Sequence, residues 1–227
     1  MKKSVLIIAL SCIYTAQLHA AALDRSGQSI SAFLQPGNYF EAGISVLDAS
    51  LSGKINDNFS KGGLSVAANM HTGDIANSYY SPSVALKLQL TDQFSLGFLY
   101  DHPFGADAAY PIGPFDAYTE NGQSTEATVT SQNLSTIFGF QPNQHWNFYA
   151  GPALQTVKGQ ATLRGAGYSW GRYDLDAKET TGVGWLAGVA YTIPEIALKT
   201  SITYRSEIDH DMNMTETFSI LHPVAGR

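Results

Sequence analysis

Seven stretches of this chain alternate between apolar and polar residues, and that period limits it to folds built from half-buried strands. Leu198, Thr200, Ile202, Tyr204, Ser206 and Ile208 fall on one face of an extended segment, and Lys199, Ser201, Thr203, Arg205, Glu207 and Asp209 fall on the other. Side chains of a strand alternate between its two faces, so one face is greasy and the other charged. A soluble sandwich also shows period two. A transmembrane β-barrel needs it in strand after strand, because one face meets lipid and the other a polar lumen. The same alternation begins with Phe40, Ala42, Ile44 and Val46 in strand one, and with Val84, Leu86, Leu88 and Leu90 in strand two. Phe94, Leu96, Phe98 and Tyr100 carry strand three; Leu134, Thr136, Phe138 and Phe140 strand four; Trp146, Phe148, Ala150 and Leu154 strand five. Val183, Trp185, Ala187, Val189, Tyr191 and Ile193 carry strand six.

Residues 1–20 read as a secretory leader. Lys2 and Lys3 supply the positive end, Val5 to Leu10 with Cys12 and Ile13 the apolar core, and Leu18-His19-Ala20 the cleavage site. That core is shorter than the roughly 20 residues a membrane helix needs. Cys12 is the single cysteine, and with the leader removed the chain has no thiol for disulfides, nucleophilic catalysis or zinc. Losing Lys2 and Lys3 leaves 11 basic residues against 19 acidic, a net charge of −8. Nucleic acid is excluded as a partner, because its backbone selects a basic stripe.

The connections differ in length. Those after strands two, four and six are a few residues each, and those after strands one, three and five are long and rich in Gly and polar residues, including Lys54 to Ser78, residues 106–123 and Gln160 to Thr181. Short periplasmic turns and long extracellular loops are the asymmetry of outer-membrane barrels. Phe94, Phe140, Trp146, Phe148 and Tyr191 gather near the short turns, where an aromatic girdle belongs. The fold class is therefore all-β, a transmembrane antiparallel barrel.

Two segments resemble a known family. Gly184-Trp185-Leu186-Ala187-Gly188-Val189-Ala190-Tyr191, followed by Tyr204-Arg205-Ser206-Glu207, and the strand-turn-strand unit Leu90-Thr91-Asp92-Gln93-Phe94 are similar to the outer-membrane long-chain fatty-acid transporters of the FadL/TodX type. Tyr100 to Tyr110, where strand three is interrupted, is a third similarity. The resemblance implies a monomeric 14-stranded barrel plugged by an N-terminal hatch, taking up long-chain fatty acids or other hydrophobic compounds by diffusion. It implies capture at extracellular loops, an interior pocket and a lateral exit at a kink in strand three. It also implies contact with outer-membrane lipid, lipopolysaccharide and the assembly machinery, and no enzyme activity, metal or cofactor. Seven strands are half of the 14, so the chain is expected to be an N-terminal half: a short hatch over 21–38, strands over 39–211 and the start of an extracellular loop over 212–227. The family's Asn-Pro-Ala is absent, and Gln35-Pro36-Gly37 stands nearest to it.

Several residues follow as candidates. Pro103 and Gly105 are the kink of a lateral gate, or else a Pro-Gly turn that ends the strand. Phe104, Leu163, Tyr168 and Trp170 are a greasy capture site, or else loop packing. Arg164 suits a fatty-acid carboxylate, or is a solvated loop arginine. Arg205 and Glu207 share the lumen face as a polar pair. Gly167-Tyr168-Ser169-Trp170-Gly171 matches a nucleophile elbow in letters alone, since no helical pattern follows it. In Asp209-His210-Asp211 neighbouring side chains point to opposite faces, a poor metal site. Beside the transporter stand two other readings: a small barrel acting as an adhesin or structural membrane protein, with Gly62 to Met70 as an extra strand, and a secreted hydrolase using Ser169.

Overall fold

The computed structural model describes residues 28–54, 59–61, 64–66, 71–112, 117–165, 168 and 171–220, so the leader lies outside the described residues. Alternation of apolar and polar residues produces one curled antiparallel sheet in the order β1 (Tyr39–Leu47), β6 (Tyr79–Gln89), β7 (Phe94–Asp101), β11 (Glu126–Phe140), β12 (Trp146–Leu163), β13 (Gly171–Ile193) and β14 (Leu198–Arg205). These are the seven strands expected from the sequence. Two further strands extend them: β8 (Gly105–Ala109) pairs with β11 above β7, and β15 (Met214–Ile220) pairs with β13 above β14. The segments β2 (Ser52–Lys54), β5 (His71–Asp74), β3 (Phe59–Lys61), β4 (Leu64–Val66), β9 (Thr119–Glu120) and β10 (Gln123–Ser124) form three small hairpins at the long-connection end. Of the Gly62–Met70 stretch, the described part belongs to the β3–β4 hairpin and adds no strand to the main sheet.

Exposure along the strands is the reverse of a water-soluble protein. Phe40, Ile44, Phe138, Trp185, Ile202 and Tyr204 are exposed, while Lys87, Ser95, Ser131, Asn133 and Gln155 are buried. In water, exposed apolar area costs about 25 cal/mol per Å². Lipid removes that cost, so this surface suits a membrane and nothing else on the outside.

The apolar band is bounded. On β12 it runs outward-facing from Trp146 to Leu154, and then Lys158 and Gln160 take the same face. That length matches the ~9–11 residues a tilted strand needs to cross a bilayer. β12 has 18 residues and β13 has 23, so their hairpin stands well beyond the membrane. At the opposite end Trp146 packs on Tyr191 (ring centroids 4.7 Å apart) and Phe94 on Phe140 (5.2 Å), forming the expected girdle. There the β13–β14 connection is a single 3-10 turn, Pro194–Ile196, closed by the Ala197 N–H donating to the Pro194 carbonyl at 3.1 Å.

Expectations are corrected at three segments. Strand seven, expected to alternate on to Asp209 with Ile208 on the greasy face, leaves the ladder after Arg205, and Ile208 lies over inner-face Gly182 and Gly184. Gln160 to Thr181 is mostly ladder, pairing Leu163 with Tyr173 and Gln160 with Asp176, and the residues after Met212 are not loop alone, since Met214–Ile220 pairs with β13. These last two carry a period-two signal, Tyr173, Leu175 and Ala177 against Arg172, Asp174 and Asp176, and Met214, Phe218 and Ile220 against Thr215, Thr217 and Ser219, which neighbouring Gly and charged residues obscure.

Placing a charge on the lipid face at mid-band measures this assignment. Phe138→Lys is expected to destabilise the folded protein by ~2–4 kcal/mol, read from urea unfolding in lipid vesicles; no loss would move Phe138 off the lipid face.

Candidate functional site

The site begins with a segment that lies against the inner face of the sheet. Ser31 to Gln35 makes two tight turns, with Leu34 N–H donating to Ser31 O and Gln35 N–H to Ala32 O. Between them Phe33 is completely buried. Its ring fills a socket made by Gly97 on β7 and Gly139 on β11, where a Cβ on either glycine would collide with it. Tyr149 meets the ring edge-on at 5.8 Å. Lysines from distant strands then hold adjacent carbonyls: Lys87 Nζ on β6 donates to Gln35 O at 2.6 Å, and Lys199 Nζ on β14 donates to Leu34 O at 2.6 Å. Arg205 donates to Gln28 O at 3.0 Å. Strands near opposite ends of the sheet thus converge on one short peptide, which curls the wall around it.

Beside this plug the wall is interrupted. Asp101 pairs with Asn133 and Gly105 with Thr130, so His102, Pro103 and Phe104 lie opposite only Ser131 and Gln132. That is a β-bulge of one extra residue. Pro103 has no N–H to offer the ladder, and it is fully buried. Ser131 stitches the bulge: its N–H and Oγ–H donate to Phe104 O at 3.2 and 2.7 Å, and Phe104 N–H donates to Ser131 Oγ at 2.8 Å. A one-residue shift reverses which face a side chain takes, so Phe104 shares the inner face of Ser131. The strand resumes as β8 on the same partner and does not end at a Pro-Gly turn.

On its other side the seam is unzipped. β6 pairs with β7 from Gln89–Ser95 to Val84–Tyr100, and contact resumes only at the Ala76–Ala108 bridge. A cavity of about 200 Å³ sits at this opening, lined by Ser29, Ser31, Glu41, Ser81, Ser83 and Asp101 among others. It touches both inner-facing Leu99 and outer-facing Tyr100. Tyr100 Oη donates to Gln132 Oε1 at 3.2 Å and lies 2.8 Å from His102 Nε2.

A second cavity of about 280 Å³ lies deeper, lined by Phe104, Asn133, Gln155, Arg205, Glu207 and Ile208 among others. Arg205 and Glu207 therefore face one space, and the guanidinium interacts electrostatically with Asp101. The two ion pairs among the described residues are elsewhere, at Arg164–Asp174 and Arg172–Glu120.

Those pairs fasten the extracellular tops. Arg164 is 5% exposed. Its Nε donates to Gln123 Oε1, its Nη1 to Leu163 O and Tyr173 O, and its Nη2 to the Asp174 carboxylate. A guanidinium has five N–H groups, and most are taken, so Arg164 ties the β9–β10 hairpin to the β12–β13 hairpin and is neither solvated nor open to a carboxylate. Leu163 ends β12 opposite Tyr173. Tyr168 meets Tyr118 edge-on at 6.3 Å, and Tyr118 stacks on Tyr110 at 4.2 Å. Burial, with Tyr118 alongside, pushes the Tyr110 and Tyr168 phenols above their ordinary range, so both remain protonated at neutral pH. Ser169 and Trp170 lie outside the described residues. His210 lies 3.1 Å from Gln155 Oε1.

Sequence reasoning did not single out Phe33, Lys87, Lys199 or Asn133. The available signal was glycine at inner-facing strand positions, Gly97 and Gly139, which marks a close approach.

The plug is expected to depend on its socket. With a lone thiol introduced by Ser31→Cys, Phe33→Ala or Gly97→Val should raise the labelling rate by thiol reagent at least tenfold, while the ladder's hydrogen exchange stays unchanged. Equal labelling in all three proteins would mean that Phe33 does not anchor the segment.

Three comparisons bear on this geometry. A family model described as outer membrane protein transport protein (OMPP1/FadL/TodX) matches residues 20–223. No curated protein matches the chain. Among solved structures, a crystal structure of a Pseudomonas aeruginosa FadL homologue is similar at 15% identity with a TM-score of 0.49, over 75% of this chain and 42% of that one. The chain thus spans less than half the length of that protein. The chain belongs to the OMPP1/FadL/TodX family of outer-membrane transport proteins, and its place is the bacterial outer membrane.

Proposed function

We propose that this chain forms the plug-bearing wall of a channel for diffusive uptake of hydrophobic compounds, long-chain fatty acids among them. The observation that carries the reading is the bulge at His102–Phe104 beside an unzipped β6 seam, opening on a cavity next to the plug. Phe33 blocks the straight path along the lumen, so a molecule entering from the extracellular end leaves through the side. A lateral path suits a greasy cargo, because it passes from an enclosed cavity into lipid without crossing water. No energy source is required; the cargo moves down its own gradient.

The reading also states what the sheet edges do. β1 and β14 are the edges among the described residues, and lipid satisfies no unpaired backbone group. The channel is therefore a closed barrel in which both edges pair with further strands. Outer-membrane lipid surrounds it, and lipopolysaccharide borders the extended hairpins.

Removing the extra residue tests the exit. Deleting Pro103 restores an equal count opposite Ser131 and Gln132 and should zip the seam. In cells whose own fatty-acid uptake has been removed, the channel closed by its further strands is expected to support uptake of a radiolabelled long-chain fatty acid, and the deletion to reduce it at least tenfold at equal outer-membrane abundance. Uptake that survives the deletion would overturn the lateral path, and no uptake by the closed, unaltered channel would overturn the transport reading.

A further inference from the structure

Ser206 to Asn213 leaves the wall. Pairing with β13 stops at Leu186–Arg205 and resumes at Ala177–Met214. Between these points Ser206 still exchanges two bonds with Trp185: Ser206 N–H donates to Trp185 O at 2.8 Å, and Trp185 N–H donates to Ser206 Oγ at 2.9 Å. Ile208 then lies over Gly182 and Gly184, where a Cβ on either would collide with it. Both glycines take the inner face of β13, so the excursion folds into the lumen. His210 reaches Gln155 on β12. The deeper cavity lies between this excursion and Phe104 of the bulge, with Asn133, Gln155 and Arg205 between them.

Resting on the transport reading above, we propose that this chamber receives the uncharged, hydrogen-donating end of a hydrophobic molecule, a hydroxyl rather than a carboxylate. Two observations carry it. The first is a surplus of acceptors. Asn133 is 2% exposed; its Nδ2 donates to Ser135 Oγ at 3.1 Å, while its Oδ1 has no partner among the described residues. Asp101, across the ladder from Asn133, likewise holds one buried oxygen without a partner. Buried polar atoms are nearly always paired, and the Asn133 oxygen, whose residue lines this cavity, calls for a donor. The second is charge. One guanidinium, already donating to Gln28 O, interacts with the Asp101 carboxylate, while the Glu207 carboxylate lines the same cavity.

An ionised carboxylate is acceptor-only. It cannot satisfy Asn133 Oδ1, and it meets the like charge of Glu207 on the cavity wall. A hydroxyl does both tasks: its proton goes to Asn133 Oδ1 while its oxygen accepts from Arg205. Phe104, Ala153 and Ile208 supply the apolar side of the same space, where the first carbons of an alkyl chain would lie.

The test compares 1-hexadecanol with hexadecanoate on the full chain in detergent micelles, at about pH 8, where the carboxylate is ionised. The alcohol is expected to bind at least tenfold more tightly, since the carboxylate leaves a buried acceptor unmet. Asn133→Leu, which keeps the branching and removes the orphan acceptor, should abolish the preference. Ala153→Trp, which fills the chamber, should weaken both ligands alike. Equal or tighter binding of the carboxylate, a preference that survives Asn133→Leu, or no binding of either ligand would overturn the proposal. The cellular uptake assay is read separately: alcohol binding without fatty-acid uptake would sink the transport reading and leave the chamber standing, and uptake without the preference would do the reverse.

Discussion

Lipid offers no hydrogen bonds, and every feature of this wall answers to that fact. A strand that leaves its ladder inside a membrane exposes backbone groups at a cost of several kcal/mol each. The chain breaks its ladder even so, and at two of the breaks a serine hydroxyl replaces a backbone partner. Ser131 Oγ takes the Phe104 N–H at the bulge, and Ser206 Oγ takes the Trp185 N–H where β14 ends. Each break opens a cavity that an unbroken barrel wall would not have. Interruption is tolerable because it is local and because the polar side faces inward.

The lumen is filled on a different principle. Small residues in the wall accept large side chains from elsewhere: Phe33 over Gly97 and Gly139, Tyr149 over Gly188, Ile208 over Gly182 and Gly184. Close packing of this kind fixes one arrangement, because a single added methyl has nowhere to go. The lysines complete it. Lys87 would be a costly buried cation without a partner, and the Gln35 carbonyl satisfies it, while Lys199 on the exposed edge strand takes the Leu34 carbonyl; together they pin the plug. The plug therefore depends on its socket in the wall, while the wall keeps its own ladder.

The family's transport character and the geometry meet at the kink. A bulge reverses the facing of every residue after it, so Phe104 turns inward and lines the deeper chamber, while the β6 seam stays open beside it. One inserted residue thus creates an opening and a lining at once. The extracellular ion pairs have a separate task. Arg164 and Arg172 hold the β9–β10 hairpin against the β12–β13 hairpin, which fixes the mouth above the chamber.

Alternation by itself determined the seven strands of the main sheet and the facing of Phe138, Ile202 and Lys87, because lipid on one side and polar contents on the other write hydropathy directly into period two; Pro103 with Gly105 marked the interruption, and aromatics beside short turns marked the girdle. Alternation did not mark the ladder above the membrane, because the Gly-rich tip and dense charge of Gln160 to Thr181 read as a loop although Tyr173, Leu175 and Ala177 alternate with Arg172, Asp174 and Asp176. Nor could it reveal Phe33, a single aromatic in a polar arm, whose burial depends on two glycines far along the chain. Arg164 read as an open cation because its partners, Gln123 and Asp174, become neighbours only when the hairpins meet. Tertiary structure decided those matters, since a socket, a bulge's facing and an orphan acceptor at Asn133 are properties of strands brought together and of no segment alone.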